Sequence, residues 1–204
     1  MSAIEELERV DNTKFDEKAF VDFLESIGGR SGWDEGGRWE LIDGIPIDMP
    51  PTTLRHGAIA RVFERLLASA LSQNGLPLDA TREVGLSHPN DPMFRPVADV
   101  VVFDPQEEIS AGGDRFLKSC QLVAEVLSPS TEHIDLLFKR RRYTELPNCL
   151  LVMIIEQDRM RVRHWARQKD WAETVYEDPE GVIDLPQFGF SCALRDLYAR
   201  TDLV

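Results

Sequence analysis

Hydrophobic residues recur at helical spacing in two stretches of the N-terminal part of the chain. In residues 15–27 they recur every three or four positions and stop before a pair of glycines, which predicts a short amphipathic helix. After two prolines a longer stripe runs to about Gln73, with Thr52 or Thr53 placed to cap the helix. The stripe of this long helix comprises Ile59, Val62, Phe63, Leu66, Leu67, Ala70 and Leu71.

Other stretches, before and after the long helix, have the hydrophobic period of β-strands. Residues 39–49 alternate apolar with polar positions around Asp43-Gly44, which predicts a hairpin. Residues 97–103, VADVVVF, are rich in β-branched side chains and apolar on both faces, as in a buried central strand. Strands are also predicted over 76–86, 121–127, 150–155 and 160–165, edge strands over 171–176 and 182–185, and helices over 132–145 and 194–200.

The order of these elements predicts the fold class. A helix, a hairpin, a second helix and several strands are followed by another helix and more strands. We find no internal repeat and no second domain in this pattern. The sequence therefore predicts one α/β (α+β) domain over residues 15–204, preceded by an acidic flexible N-terminus over residues 1–14.

Charge, cysteine spacing and the absence of targeting signals limit the classes of protein to which this sequence can belong. The 204 residues carry 36 acidic and 23 basic side chains, a formal net charge of −13, which argues against a general nucleic-acid coat but leaves room for a local basic groove. The 3 cysteines are far apart and form no CxxC pair. Because the first residues resemble no signal peptide and no stretch is long and apolar enough to span a membrane, we expect a cytoplasmic protein without a membrane partner.

Two carboxylates interrupt strands that otherwise look fully buried, Asp99 in VADVVVF and Glu125 in LVAEVLS. Burying an ionised carboxylate costs several kcal/mol unless it is paired or bound to a metal. In one interpretation each acid lies at a strand end and pairs with an arginine such as Arg95 or Arg142. In the other, the two acids share a divalent-cation site, because Mg²⁺ is held by few carboxylates and keeps several waters.

The predicted helix after Glu125 adds a second set of candidate residues. Asp135, Lys139 and Tyr143 are spaced four residues apart and therefore share one helix face. An aspartate and a lysine at this spacing often form only a surface ion pair, but this helix starts close to a buried acid. The basic run Arg140, Arg141 and Arg142 follows, and it is either a solvated face or a DNA contact.

Several motifs together resemble one bacterial family. The segments RWELIDGIPIDM, RPVADVVVF and LVAEVLSPSTEHIDLLFKRRRYTEL, with His56 near the start of the long helix, resemble the Uma-type restriction endonucleases of the PD-(D/E)xK nuclease superfamily. The resemblance implies a restriction-endonuclease-like mixed central sheet flanked by helices, with an N-terminal helix and hairpin. It implies a Mg²⁺- or Mn²⁺-dependent endonuclease that hydrolyses DNA phosphodiester bonds, and a homodimer or higher homo-oligomer.

The resemblance also implies roles for individual residues. Asp99 and Glu125 match the two motif acids, both metal ligands, and Glu40 resembles an additional acid of such sites. The superfamily's lysine normally lies two residues after the second acid, where this chain has Leu127, and Lys139 is the expected substitute. His56, Asp135 and Tyr143 are auxiliary candidates, and Arg140, Arg141 and Arg142 would contact DNA weakly.

Departures from the family pattern keep other functions open. The shifted lysine, a strand over 150–156 that lacks the family's aromatic residues, and the charge of −13 favour a nuclease fold kept as a binding or assembly module with little or no catalysis. A hydrolase acting on a small phosphorylated or sugar substrate is a third hypothesis, supported by the acid cluster alone.

Overall fold

The computed structural model describes residues 14–27, 38–111, 115–128 and 134–204, without the side chains of residues 134 and 135. Contacts within the chain divide it into two compact units. The first unit comprises the described residues up to Pro51 together with Ser87–Val97, and the second comprises Thr52–Leu86 and Ala98–Val204. Almost all of the predicted flexible N-terminus lies outside the described residues, and the single domain over 15–204 stays a prediction.

The first unit contains the predicted N-terminal helix, α1 (Glu17–Ser26). The side chain of Asp16 caps it by accepting a hydrogen bond from the Ala19 N–H at 2.8 Å. Phe20 is fully buried, and the ring of Phe23 meets that of Trp39 edge to face at 5.0 Å between centroids. The amphipathic pattern of residues 15–27 therefore reflects burial of one helix face, as predicted.

The predicted hairpin is also present, with β1 (Arg38–Ile42) paired antiparallel to β2 (Ile45–Met49). The two turn residues, Asp43 and Gly44, have φ angles of 51° and 76°. Two consecutive positive φ values are typical of the type I′ turn, whose twist matches that of the flanking strands. Asp-Gly is suited to this turn because aspartate tolerates the left-handed region and glycine adopts it without strain.

The second unit begins with the long helix α2 (Leu54–Gln73), which has Thr53 as its N-cap. A mixed seven-stranded sheet follows among the described residues. Its strands are β3 (Asp79–Leu86), β4 (Val97–Phe103), β5 (Phe116–Leu117), β6 (Leu122–Leu127), β7 (Leu151–Glu156), β8 (Val162–Ala166) and β9 (Glu173–Tyr176). Their order in the sheet is β5-β3-β4-β6-β7-β8-β9.

The pairing directions make this a mixed sheet. β4 is antiparallel to β6, β6 is parallel to β7, and β7, β8 and β9 are successively antiparallel. The short helix α3 (Pro105–Ala111) lies between β4 and β5 in the chain. The prediction of a mixed central sheet flanked by helices is therefore confirmed, and β4 and β6 are central strands, as the VADVVVF and LVAEVL runs indicate.

The main core lies between α2 and one face of the large sheet. Ile59, Phe63 and Leu67 of the helix are fully buried in one cluster with residues of the sheet strands. The C-terminal elements β10 (Val182–Leu185), β11 (Phe190–Ala193) and α5 (Leu194–Leu197) add to the same cluster. The strand predicted over 182–185 is present as β10, but it pairs with β11 in a separate two-stranded sheet and does not extend the large sheet.

The segment after β6 differs from the regular helix predicted over 132–145. A π-helix, Ile134–Lys139, continues directly into a short α-helix, α4 (Arg140–Thr144). Single π-helical turns are uncommon and often occur at functional sites.

In the described part of the chain, no helix is both long enough and apolar enough to cross a membrane.

Candidate active site

Asp99 and Glu125 face each other on neighbouring central strands. They lie one step along from the antiparallel pair Val100–Ala124, and so their side chains share one face of the sheet. The Val126 N–H donates to Asp99 Oδ2 at 2.8 Å, and the Asp99 N–H donates to Glu125 Oε2 at 3.3 Å. The two acids predicted to act together are therefore brought together.

Both carboxylates are deeply buried, with 4% of Asp99 and 2% of Glu125 exposed. Like charges directly opposite each other in a sheet repel, and burial strengthens this repulsion. Groups of the protein offset it: Lys139 Nζ lies 3.5 Å from Glu125 Oε1, and the Tyr143 hydroxyl donates to the same oxygen at 2.6 Å. Lys139 and Tyr143 are themselves buried.

The helical segment positions these two side chains. Lys139 is the last residue of the π-helix and Tyr143 lies in α4, so both project from one helix face onto Glu125. The structure thus places both Lys139 and Tyr143 beside the second acid, Glu125. The side chain of Asp135, the third residue of the predicted face, lies outside the described residues.

His56 approaches Asp99 from the start of α2. Its Nε2 lies 3.1 Å from Asp99 Oδ2, and the imidazole is almost completely buried. The His56 N–H donates to Thr53 Oγ1 at 3.1 Å, which is the N-cap hydrogen bond of the helix. The helix start therefore places a histidine on the first of the two acids, at the position singled out from the sequence.

Glu40 belongs to the first unit. It is 1% exposed and accepts a hydrogen bond from the Val97 N–H at 3.0 Å, at the first residue of β4. Its predicted role as a third metal ligand stays a prediction. Among the residues that the structure describes, no group of three or more His, Cys, Asp and Glu side chains is arranged to hold a metal ion.

Two opposed carboxylates are nevertheless a suitable donor set for Mg²⁺. This ion takes hard oxygen ligands and is usually held by one or two carboxylates, with water and substrate phosphates completing its shell. Asp99 and Glu125 supply that number of carboxylates on adjacent strands. The residues present therefore fit a magnesium or manganese ion.

The basic run does not act as one surface. The Arg140 guanidinium lies 4.9 Å from the centre of the Trp165 ring, and its Nε donates to the Leu136 carbonyl. Arg142 donates to Glu145 at 3.1 Å. Arg141 Nε lies 3.7 Å from Glu145 Oε1, but its side chain is 78% exposed, and it is therefore the member of the run best placed to meet a phosphate.

The arginines suggested as partners of the two acids have other contacts in the structure. Arg95 is buried in the first unit, where its guanidinium donates to Glu17 and to the carbonyls of Asp91 and Phe94. Asp99 and Glu125 are instead contacted by His56 and by Lys139 with Tyr143.

Gln157 is a residue that sequence reasoning missed. It directly follows β7, is 3% exposed, and accepts a hydrogen bond from the Thr53 hydroxyl at 2.6 Å. The available signal was a second polar residue after the apolar run 151–155, since Glu156 and Gln157 follow it, and Gln157 lies three residues beyond Ile154, the register partner of Glu125. That signal is weak, because strand ends are commonly polar.

Comparison with known proteins gives a family and a fold. The family model of Uma2, described as "Putative restriction endonuclease", matches residues 23–195. A crystal structure of "a putative nuclease belonging to DUF820" from Anabaena variabilis is similar in fold, with a TM-score of 0.70 and 18% sequence identity over 91% of this chain and 98% of that chain. No curated protein matches the sequence. Since the family model covers most of the chain, the protein belongs to the Uma2 family.

Proposed function

We propose that the protein is a Mg²⁺-dependent endonuclease that hydrolyses DNA phosphodiester bonds. The observation that carries this proposal is the pair of buried carboxylates, Asp99 and Glu125, opposed across β4 and β6 with a lysine at 3.5 Å. A divalent cation would cancel the repulsion of these acids and would be the reason for keeping both on central strands. Membership of the Uma2 family supports the same reaction class.

Asp99 and Glu125 would hold the cation. When bound, such a cation polarises the scissile phosphate and makes its bound water a better nucleophile. The Tyr143 hydroxyl fixes Glu125 Oε1 and so orients that carboxylate. The Lys139 ammonium, beside the same oxygen, is placed to donate a hydrogen bond to the attacking water or to a phosphate oxygen.

Isosteric variants of the two acids test this proposal. Purified protein is incubated with plasmid and with single-stranded DNA in Mg²⁺ or Mn²⁺, and initial cleavage rates are compared for wild type, Asp99→Asn and Glu125→Gln. We expect each substitution to lower the rate about 100-fold or more, since a metal ligand acts on the transition state directly.

Glu108→Gln is the matched control, because Glu108 is a buried glutamate that accepts hydrogen bonds from the Lys118 and Ser119 N–H groups. It should keep the wild-type cleavage rate whatever it does to stability. Wild-type cleavage no faster than that of Asp99→Asn on every substrate would refute the nuclease proposal.

A second candidate is a nuclease fold that serves as a binding or assembly module, as a homodimer or larger homo-oligomer. Lys139 and His56 already contact the two acids, so the repulsion between the two carboxylates can be offset without a cation. The net charge of −13 also opposes DNA binding.

Thermal unfolding distinguishes the nuclease from the binding module. A cation at 100 times its Kd adds about 2.7 kcal/mol of stability, whereas the module predicts a melting temperature unchanged by millimolar Mg²⁺ and a stable oligomer in ultracentrifugation.

A further inference from the structure

A chain of hydrogen bonds connects the end of β7 to the first acid of the candidate site. The Thr53 hydroxyl donates to Gln157 Oε1 at 2.6 Å and accepts from the backbone N–H of His56 at 3.1 Å. His56 Nε2 then lies 3.1 Å from Asp99 Oδ2. Residues far apart in the sequence are thus joined in the order Gln157, Thr53, His56 and Asp99.

The threonine hydroxyl sits in the middle of this chain and uses both of its functions. Thr53 Oγ1 accepts from the His56 backbone N–H and donates its single proton to the carboxamide oxygen of Gln157. The Gln157 amide nitrogen therefore points away from Thr53. Across the described part of the chain, neither Gln157 Nε2 nor His56 Nδ1 has a hydrogen-bond partner, although both atoms are buried.

Such an arrangement is poor for stability alone. A buried polar group without a partner costs more stability than a single hydrogen bond, such as the one Gln157 makes through its oxygen, contributes. An apolar side chain of similar size would fill the same space without that cost. Gln157 is therefore better explained by what its oxygen holds in place than by the stability it adds.

We propose that Gln157 and Thr53 are positioning residues that hold the His56 imidazole against Asp99. Gln157 fixes the rotamer of Thr53, Thr53 fixes the first turn of α2, and this turn sets the place of His56. His56 in turn restrains the Asp99 carboxylate in the orientation needed for a divalent cation. This inference rests on the proposed function for its catalytic consequence, but the positioning itself can be observed without catalysis.

The experiment compares side-chain nitrogen and proton signals of His56 by NMR at one fixed pH, with Mn²⁺ affinity and cleavage measured on the same proteins. The signals are assigned by the loss of one set in His56→Gln, since the chain has 4 histidines. Thr53→Val and Gln157→Met should shift or broaden the His56 signals and weaken Mn²⁺ binding about tenfold or more, as loss of such supporting hydrogen bonds does at metal sites. Thr53→Ser, which keeps the hydroxyl, should retain both wild-type properties.

Two comparisons separate positioning from simple stabilisation. Asp16→Ala removes an N-cap of the same kind from α1, and it should lower stability without changing the His56 signals or Mn²⁺ affinity. Gln157→Met should not lower the melting temperature, because loss of the unpartnered amide offsets the lost hydrogen bond.

Unchanged His56 signals in both Gln157→Met and Thr53→Val would overturn the inference. If the wild type neither binds Mn²⁺ nor cleaves DNA, the proposed function fails, while the His56 signals still decide whether Gln157 and Thr53 position the imidazole.

Discussion

Lys139 and Glu125 form a buried ion pair in which each partner keeps the other from being an isolated charge. Removing one member of such a pair costs about 3–5 kcal/mol, because the remaining charge stays buried without compensation. A Lys139 variant would therefore lose stability whether or not the lysine takes part in catalysis. Glu125→Gln has the same drawback, because it leaves the Lys139 ammonium buried without its partner. Asp99→Asn, compared with the Glu108→Gln control, is therefore the more informative change at this site.

His164 gives the molecule a pH dependence that is separate from the candidate site. It lies in β8, almost completely buried, with its ring 5.5 Å from that of Tyr176. Burial, with a smaller effect of the Lys169 charge, lowers the pKa of His164 from 6.5 to about 4. The folded protein therefore keeps this imidazole neutral at a pH where the unfolded chain protonates it.

We expect the stability contributed by the neutral His164 to be complete above about pH 6.5 and to fall as the pH decreases toward 4, because the unfolded state then binds the additional proton. Between pH 7.5 and pH 5 this loss should be about 1–2 kcal/mol. Urea unfolding of wild type and His164→Gln at both pH values measures it. An equal fall in the two proteins would show that His164 is not responsible.

At the scale of single elements, local signals predicted most of what surrounds the candidate site. Asp43-Gly44 specifies its turn through backbone preferences of two adjacent residues, and Thr53 caps α2 through a contact three residues away. The opposed acids were predictable because Asp99 and Glu125 break apolar runs that only central strands carry. Each of these signals lies within a few residues of the structure it determines.

The remaining features are not specified by hydrophobic periodicity. The π-helix over Ile134–Lys139 is not visible in hydrophobic spacing, since Lys139 and Tyr143 have the separation that any α-helix would give them. The alternation of apolar residues in β10 predicts a strand but does not specify its partner, and β10 pairs with the next strand in the chain, β11. Gln157 acquires its role only from Thr53, 104 residues earlier in the chain.

The sequence pattern also does not distinguish the three arginines of the basic run. Arg140, Arg141 and Arg142 look equivalent in sequence, and contiguous bases predict a common surface. Arg140 instead packs over Trp165, and Arg141 and Arg142 both lie near Glu145, but the Arg141 side chain is 78% exposed and that of Arg142 29%. Packing and exposure thus leave one candidate phosphate contact among three similar residues.

For the whole molecule, the net charge of −13 determines how DNA can be approached. Long-range repulsion between protein and DNA weakens with salt, but so does every contact between an arginine and a phosphate. A cation held by Asp99 and Glu125 would reduce the repulsion where the scissile phosphate must lie. We therefore expect weak, cation-dependent binding with few phosphate contacts, in contrast to a nucleic-acid coat protein.

Salt dependence of DNA affinity measures the number of those contacts. Wild-type protein and Arg141→Ala are titrated against labelled duplex DNA by fluorescence anisotropy at several salt concentrations, with Ca²⁺ in place of Mg²⁺ because it also takes oxygen ligands. Since each phosphate contact contributes about 0.9 to the slope of log affinity against log salt, loss of Arg141 should reduce the slope by about one. Arg195→Ala, which removes the same charge from an arginine paired with Glu180, should leave the slope unchanged. An equal slope in the Arg141→Ala and Arg195→Ala proteins would exclude the basic run from the DNA contact, and it would place any nucleic-acid binding elsewhere on the molecule.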